Sequence, residues 1–452
     1  MHIAESKLTL PRSIKGKLLK GSAWAFTGKV ISVLSALAVN TLLVRILNHE
    51  EMGAYFLTFS LVSATAVIAQ LGLTHTVVRL ISESVGTNHF GRARQSIFVV
   101  LRIAAISGII VTSALAIGGG RIIAKFIFHS ESMVQISGLM SVWVALSMFQ
   151  QLIAEIHRGF HDIKLATLFG GMLTSVLSMT LFLILWLTQG HSNLKEIIFL
   201  TLGAGFSSTL ISSVILWKHL VELPLSVSER ISILDVLRIS WPLWITNLTL
   251  FALTQADLWV MGLFRSPAEV AVYGIATRLV SLVAMPLLII NAVVPPLISE
   301  MYAHGNIVGL ERALRSTATF VLLPAILATG LFSVAGGPIL GIMFGDYYQS
   351  GWVILVILSI GQLANVWSGS CGLTLMMTGH QVTMMAITLL SGLLSVTGAC
   401  WLVRDYAGDG VAMAAAISMV IHNIVVLLYA KKRTGVWTHA NPFMIKSLFG
   451  IK

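Results

Sequence analysis

Charged residues are scarce in this sequence. Only 10% of the 452 residues are Asp, Glu, Lys or Arg, whereas 56% are hydrophobic. An average soluble domain is about 25% charged. A soluble protein of this length could not hide so much apolar surface, so the composition excludes a soluble enzyme or binding domain. Apolar runs of about 20 residues recur along the chain and predict an all-α polytopic membrane protein.

Cysteine is nearly absent, and so are the spacings that mark metal or nucleotide sites. The two cysteines, Cys371 and Cys400, lie in apolar segments and indicate neither a disulfide framework nor a metal site. His157 and His161 lack a third ligand nearby, so we interpret them as loop histidines. The residues around Lys29 do not match a phosphate loop. We therefore expect no enzymatic activity and no cofactor, and coupling to H⁺ or Na⁺ stays open.

A large polar insertion is missing as well. Twelve apolar segments are joined by short connections, and the longest polar gap, 218–237, divides the chain in half. The sequence therefore predicts a basic N-terminal segment (1–21), a first lobe of six helices (22–217), a connection (218–237), a second lobe of six helices (238–430) and a basic tail (431–452). The predicted segments lie near 22–45, 53–78, 96–117, 136–157, 165–187, 195–217, 238–262, 270–294, 315–335, 351–376, 382–403 and 410–430.

The distribution of basic residues predicts the orientation. The net charge is +11, but no basic patch is interleaved with aromatic residues, so we expect no nucleic-acid partner. With the N-terminus in the cytosol, 20 Lys and Arg fall on the cytosolic side and 6 on the opposite side, and 3 lie within the apolar segments. Cytosolic loops carry the excess of Lys and Arg, so both termini are predicted to be cytosolic.

The two halves contain a weak internal repeat. Residues 50–63 match residues 267–281 at an offset of 218, which places Glu51 and Tyr55 on Glu269 and Tyr273. Six helices per half give parallel repeats, whose substrate site would lie between the lobes. No proline occurs between residues 11 and 224, whereas prolines interrupt apolar segments of the second half. We therefore expect the bent helices in the second lobe.

Charges inside the apolar segments are the strongest functional signal, because a charge at a membrane helix centre costs about 2.5–3.5 kcal/mol. Lys29 shares one face of the first segment with small and polar residues that include Asn40. Arg278 and Asp257 lie at similar depth in adjacent segments and are expected to form an ion pair, either purely structural or guarding an anion site. Asn247 is a further candidate for substrate contact. Two cations in a cavity between the lobes suit a phosphate or pyrophosphate, although snorkelling of Lys29 to the cytosolic surface is the alternative.

Three other polar features have structural interpretations. Glu155 and Arg158 lie one turn apart and are expected to pair, and Arg102 is expected to reach the cytosolic surface. Residues 121–129 alternate basic and apolar positions at helical spacing, which predicts a helix lying in the outer membrane interface.

Two stretches resemble a known superfamily. They are VRILNHEEMGAYFLTFSLVSATAVIAQLGLTHTVVRLISE (residues 44–83) and ADLWVMGLFRSPAEVAVYGIATRLVSLV (residues 256–283). They resemble the polysaccharide-export branch of the superfamily that includes MATE multidrug exporters and the lipid II flippase, and within it oligosaccharide flippases of the Wzx type. The resemblance covers about residues 15–432.

The resemblance implies two six-helix lobes around a central cavity. It also implies alternating access for an undecaprenyl-pyrophosphate-linked oligosaccharide, moved from the cytosolic to the periplasmic leaflet of the bacterial inner membrane. Partners would be this substrate, membrane lipids and polysaccharide-assembly proteins. Lys29 and Arg278 fit the basic positions of the family cavity, Asp257 fits its acidic position on helix seven, and Arg79 matches a third basic position weakly. Ala271 replaces the usual Gly, which is expected to affect only packing.

Two rival functions stay open. The first is a multidrug antiporter of the same fold, but drug exporters often use a first-lobe carboxylate for coupling, and here the first apolar segment carries Lys29 instead. The second is a polysaccharide polymerase or ligase, which usually needs a large external loop that is missing here. Twelve helices rather than fourteen disfavour the lipid II flippase itself.

Overall fold

All regular structure in the described part of the chain is helical. The structure is a computed structural model that describes residues 12–87, 89–222, 231–291 and 294–441. The helices of the first lobe are α1 (Arg12–Ile46), α2 (His49–Gln70), α3 (Leu73–Gly86), α4 (Phe90–Ala114), α5 (Gly120–Ile122), α6 (Glu131–Gln135), α7 (Ser137–Gly159), α8 (Ile163–Thr167), α9 (Leu173–Gln189) and α10 (Leu194–Glu222). Those of the second lobe are α11 (Ile233–Phe264), α12 (Pro267–Asn291), α13 (Val294–Ala303), α14 (Ile307–Phe344), α15 (Trp352–Ser368), α16 (Cys371–Met377) and α17 (Gln381–Thr434).

The helices account for the twelve predicted segments. Among the described residues, nine helical stretches are long and apolar enough to span a membrane, and α11 makes a tenth although it bends by 52°. The 54 residues of α17 contain two spans, because the helix is interrupted at Ala407, where φ is 49°. At the place of the first predicted segment, the described apolar part of α1 is the shorter stretch Val30–Ile46. Helices satisfy their own backbone groups, which a span through lipid requires. The chain is therefore an all-α polytopic membrane protein.

Bends occur in the second lobe, as predicted, where α11 bends by 52° and α17 is kinked at Ala407, but they occur in the first lobe as well. Glycine, not proline, interrupts the first-lobe helices, at Gly118 (φ 153°) and at Gly171 (φ 132°). Only glycine reaches such angles without steric cost. The chain after Gly118 is helical up to Ile127, with Arg121 exposed, and its location in the outer membrane interface stays a prediction.

Helix α2 holds a central position between the lobes. It packs on α7 in the first lobe and on α11 and α12 in the second. It is also the most buried of the membrane spans in the described part of the chain. Side chains on nearly every face of α2 therefore contact protein, and contacts between the lobes depend on it.

A short segment after α17, residues 435–441, folds back onto the second lobe, and we call it the C-terminal strap. Its Val436 is fully buried. Thr438 Oγ1 donates to the carbonyl of Ser368 (2.7 Å), and Ala440 N donates to the carbonyl of Trp367 (2.8 Å). The strap thus satisfies carbonyl groups at the end of α15 that have no partner within the helix. Residues 1–11, 223–230 and 442–452 of the predicted terminal segments and connection lie outside the described residues.

Candidate functional site

Helices α2 and α12 begin with the same local structure, as the internal repeat predicts. Asn48 Oδ1 accepts from the backbone N–H of Glu51 (2.8 Å), and the Glu51 carboxylate accepts from the N–H of Asn48 (3.4 Å). At the equivalent place, Ser266 Oγ accepts from the N–H of Glu269 (3.4 Å) and donates to its Oε1 (3.1 Å). Such caps satisfy the free N–H groups of a helix start. Repeat-related residues therefore fix where both helices begin.

The two helices approach closely where they begin, and we call this part of the molecule the closed end. A Cβ atom at Gly53 would overlap the backbone carbonyl of Pro267, and one at Gly274 would lie 2.5 Å from the ring of Phe56. The contact that lies later in α2, at Phe56, also lies later in α12, at Gly274. The two helices therefore run in the same direction, as parallel repeats require. Ala271, the departure from the family pattern, is fully buried.

Arg278 lies about 17 Å along α12 from Pro267 and reaches across to the first lobe. Its guanidinium carbon is 5.6 Å from the ring centroid of Phe56 and 6.0 Å from that of Phe59. The Nε atom is buried and has no hydrogen-bond partner among the described residues. Each cation–π contact is worth about 0.5–2 kcal/mol, but an aromatic face offers no acceptor to the guanidinium N–H groups. Arg278 is therefore a buried cation whose hydrogen-bonding capacity is incompletely used.

The expected ion pair between Asp257 and Arg278 is not formed. Neither residue belongs to any salt bridge found in the described part of the chain. Asp257 lies beside Tyr273 instead, although the buried Tyr273 hydroxyl is outside hydrogen-bond geometry. Tyr273 and Arg278 are five residues apart, which separates them by about 140° around α12 at 3.6 residues per turn. A carboxylate beside Tyr273 therefore does not reach the face that carries Arg278.

A second polar contact joins the lobes next to Arg278. Ser60 of α2 donates to Gln255 Oε1 (2.9 Å), and Trp259 Nε1 donates to Ser60 Oγ (2.8 Å). Ser60 is the residue that the repeat offset places on Arg278. The two equivalent positions therefore both contact the opposite lobe, one by hydrogen bonds and one by its guanidinium group.

Among the described residues, no hydrogen bond or ion pair joins the side chain of Arg278 to those of Asn40, Asn247 or Arg79. Lys29 belongs to α1, but its side chain lies outside the described residues. Asn40 is buried and donates to the carbonyl one turn earlier in α1 (2.6 Å). Asn247 is half-buried in α11. Arg79 is exposed on α3 and forms a 2.7 Å ion pair with Glu83, so the structure does not bring it toward Arg278.

Of the structural expectations, one is confirmed and one is corrected. Arg158 and Glu155 form the predicted ion pair at 2.8 Å. His157, however, is buried in the last turn of α7 near the ring of Phe169, so it is a core residue rather than a loop residue. In the part of the chain that is described, no group of three or more His, Cys, Asp or Glu could hold a metal ion.

Comparison of the sequence with known protein families identifies the family of this chain. The sequence profile of a family described as polysaccharide biosynthesis protein matches residues 18–302, more than half of the chain. The chain belongs to this family. A second family, MatE, matches residues 242–402 of this polysaccharide biosynthesis protein. No curated protein matches the sequence.

Solved transporter structures share the fold. An inward-facing multidrug resistance MATE family transporter of the MOP superfamily matches with a TM-score of 0.75 at 18% identity, over 89% of this chain and 94% of that one. The lipid II flippase MurJ, in an inward closed conformation, matches with 0.69 at 15% identity, over 91% and 87%. An outward-facing MATE family transporter matches with 0.61 at 15% identity, over 93% and 95%. The protein therefore has the fold of MOP-superfamily transporters.

Sequence reasoning found Arg278 but missed the rings that contact it. Phe56 and Phe59 read as ordinary apolar residues of a membrane helix. The internal repeat contained a signal for this contact, because the offset of 218 aligns Phe56 with Gly274. A large ring on one repeat and a glycine on the other is the pattern of two helices that pack closely across a symmetry axis.

Proposed function

We propose that this polysaccharide biosynthesis protein is a flippase for an undecaprenyl-pyrophosphate-linked oligosaccharide. It would move this lipid from the cytosolic to the periplasmic leaflet of a bacterial inner membrane by alternating access of the two lobes. The product would serve the assembly of a surface polysaccharide. Membership of the family supports the substrate class, and the transporter fold supports the mode of action.

The state of Arg278 carries the proposal. A buried guanidinium without a carboxylate partner is costly in a membrane, and its planar set of donors suits the oxygens of a phosphate or pyrophosphate. Its contact with Phe56 and Phe59 of the opposite lobe places it where the lobes must separate. A bound anion would supply the acceptors that the aromatic faces lack. Lys29, on α1, would supply a second positive charge.

The closed end supports the direction of transport. The contacts of Gly53 and Gly274 hold the lobes together where α2 and α12 begin, which the distribution of Lys and Arg predicts to be the periplasmic side. The structure of this chain is also more similar to the inward-facing MATE transporter (TM-score 0.75) than to the outward-facing one (TM-score 0.61). The described conformation thus suits uptake of substrate from the cytosolic leaflet.

The experiment compares export by variants in a strain whose own copy is deleted. Arg278→Gln removes the charge and Arg278→Lys keeps it without the planar fork. Arg404→Gln is the matched control, because Arg404 also lies over an aromatic ring, that of Phe264 (5.9 Å), but is exposed. Membrane abundance, surface glycan and accumulated lipid-linked oligosaccharide are measured for each variant.

We expect Arg278→Gln to reach the membrane at normal abundance, to lose surface glycan and to accumulate the lipid-linked oligosaccharide. Arg278→Lys should retain part of the export, and Arg404→Gln should behave like the unchanged protein. Normal export from Arg278→Gln would refute the proposal. Resistance to cationic drugs that depends on the protein, with unchanged surface glycan on its deletion, would support a multidrug antiporter instead.

A further inference from the structure

A polar pocket lies inside the second lobe, away from the contact between the lobes. It has a volume of about 250 Å³ and lies between α12, α15, α16 and α17. Its polar lining consists of three asparagines, a serine and a histidine: Asn291, Asn365, Asn423, Ser370 and His422. We call it the second-lobe pocket. Polar groups inside a membrane span are costly and usually functional.

An interrupted helix borders this pocket. Helix α15 ends at Ser368 before Gly369, whose φ is 68°. Ser370, immediately after the break, donates to Asn291 Oδ1 at 2.7 Å and so joins the chain after α15 to α12. Non-helical backbone at membrane depth is tolerated only where it is buried in protein or lines a cavity. The break after α15 therefore keeps polar side chains and irregular backbone together inside the lobe.

Several polar atoms of the pocket keep unused hydrogen-bonding capacity. Asn291 accepts from Ser370 through Oδ1, which leaves its amide N–H groups. Asn365 donates to Gln362 Oε1 (3.1 Å), which leaves Oδ1. His422 Nδ1 lies 3.3 Å from the hydroxyl of Ser391, which leaves Nε2. These atoms have no further hydrogen-bond partner within the described ranges, so the pocket offers both donors and acceptors.

The chemistry of the lining selects the class of ligand. Among the residues that the structure describes, no Lys, Arg, Asp or Glu lines the second-lobe pocket, so it does not suit the pyrophosphate or an ammonium group. Its separate donors and acceptors match hydroxyl groups, each of which donates one hydrogen bond and accepts others. The apolar remainder, which includes Met376 and Met384, can cover the C–H face of a ring. The volume is below the roughly 300–1,000 Å³ of pockets for drug-sized ligands, which favours a single sugar.

The position of the pocket relative to Arg278 is compatible with one extended substrate. Asn291 follows Arg278 by thirteen residues in α12, about 20 Å along the helix axis. Asn291 also lies near the end of α12 that is opposite to the closed end, the predicted cytosolic side. Lipid-linked sugars are presented from the cytosol in the proposed function. A pyrophosphate at Arg278 would thus leave the sugars directed toward the pocket.

We propose that the second-lobe pocket binds one neutral sugar of the transported oligosaccharide and so gives the protein its preference among glycans. This inference rests on the proposed flippase function. It assigns recognition of the anion and recognition of the glycan to different places, Arg278 and the pocket.

Binding measurements on the purified full-length protein in lipid nanodiscs test the assignment. One probe is undecaprenyl pyrophosphate. The other is the undecaprenyl-pyrophosphate-linked oligosaccharide extracted from the source bacterium after deletion of this protein. The pocket variants are Asn365→Leu and His422→Phe, and His304→Phe, at an exposed position, is the matched control. Arg278→Gln tests the anion site.

We expect the unchanged protein and His304→Phe to prefer the oligosaccharide-linked lipid over undecaprenyl pyrophosphate by at least tenfold. Each pocket variant should reduce that preference by about two- to tenfold, the range of one hydrogen bond, at unchanged affinity for undecaprenyl pyrophosphate. That unchanged affinity also shows that the variants are folded. Arg278→Gln should weaken both lipids alike.

Two results would overturn the assignment of the pocket but not the proposed function, provided that Arg278→Gln still weakens binding of undecaprenyl pyrophosphate. In the first, the unchanged protein does not prefer the oligosaccharide-linked lipid. In the second, both pocket variants keep that preference. The proposed function itself fails if the unchanged protein binds neither lipid, or if Arg278→Gln binds both as tightly as the unchanged protein does. The two failures are therefore distinguishable.

Discussion

The close approach of α2 and α12 makes Gly53→Ala a sensitive perturbation of the closed end. The added methyl group would overlap the carbonyl oxygen of Pro267, a backbone atom that cannot rotate away as a side chain can. Overpacking of this kind costs about 1–3 kcal/mol. Alanine also favours the helix more than glycine does, but it does so in the closed and in the open conformation alike, so this gain does not change their ratio. The ratio of closed to open conformations should therefore fall by roughly 5- to 150-fold.

Cross-linking across the closed end measures this shift. The rings of His49 and Tyr347 are stacked with centroids 3.8 Å apart, so cysteines at these positions report whether the lobes are in contact. Cys371 and Cys400 are first replaced by alanine, and a short bifunctional thiol reagent is applied to membranes. We expect Gly53→Ala to lower the cross-linked fraction severalfold and to reduce export.

Gly203→Ala is the matched control, because a methyl group there meets no atom within 4 Å. It should cross-link and export as the unchanged protein does. If Gly53→Ala gave the same cross-linked fraction as Gly203→Ala, close packing at Gly53 would not hold the lobes together, and the physical reasoning about the closed end would be wrong.

Three further predictions concern charge, orientation and pH. Lys29→Ala should abolish export at normal membrane abundance and Lys29→Arg should retain part of it, measured as surface glycan, because a point charge can bind the pyrophosphate. A membrane-impermeant thiol reagent added to whole cells should label a cysteine at Asn48 but not one at His89; the opposite pattern would reverse the orientation. Burial lowers the pKa of His439, and so does the nearby positive charge of Arg315, whereas the negative charge of Glu311 raises it. Docking of the C-terminal strap should therefore be complete above pH about 6.5. It should weaken as the pH falls below that value. Limited proteolysis of the strap between pH 8 and 5 measures this, and His439→Gln should flatten the dependence.

The hydrogen bond between Arg315 and His439 gives the sign of the last prediction. Arg315 Nη2 lies 3.4 Å from His439 Nε2. Arginine can only donate, so Nε2 must accept and the imidazole must be neutral. Protonation would remove this hydrogen bond and place two cations together. A strap that becomes more protected at pH 5 would contradict this reasoning.

Much of the fold could be predicted because membrane helices can be identified in a sequence from the length and composition of their apolar segments. The internal repeat also predicted that the two halves run parallel, and Asn48 and Ser266, which cap α2 and α12, are equivalent in that repeat. The bends at Gly118 and Gly171 could not be predicted, because glycine is common in membrane helices and most glycines there serve packing.

The partner of Arg278 could not be predicted for a geometric reason. Similar depth in adjacent helices suggested Asp257, but depth says nothing about the direction of a side chain. The direction depends on the rotation of α12 about its axis, and that rotation is set by the packing of Gly274 against Phe56. The second-lobe pocket could not be predicted either, since Asn291 and Asn365 are far apart in sequence and only the packing of α12 against α15 brings them together.

The C-terminal strap has a practical consequence for handling the protein. Purification tags and topology reporters on multi-pass proteins are commonly fused at the end of the last helix, here Thr434. A fusion at that point would delete the hydrogen bonds to Ser368 and Trp367 and leave the carbonyl of the fully buried Ser368 without that partner, at about 1–3 kcal/mol. A fusion after Asn441 keeps the strap. The point of attachment thus decides whether a tagged protein reports on the intact second lobe or on a weakened one.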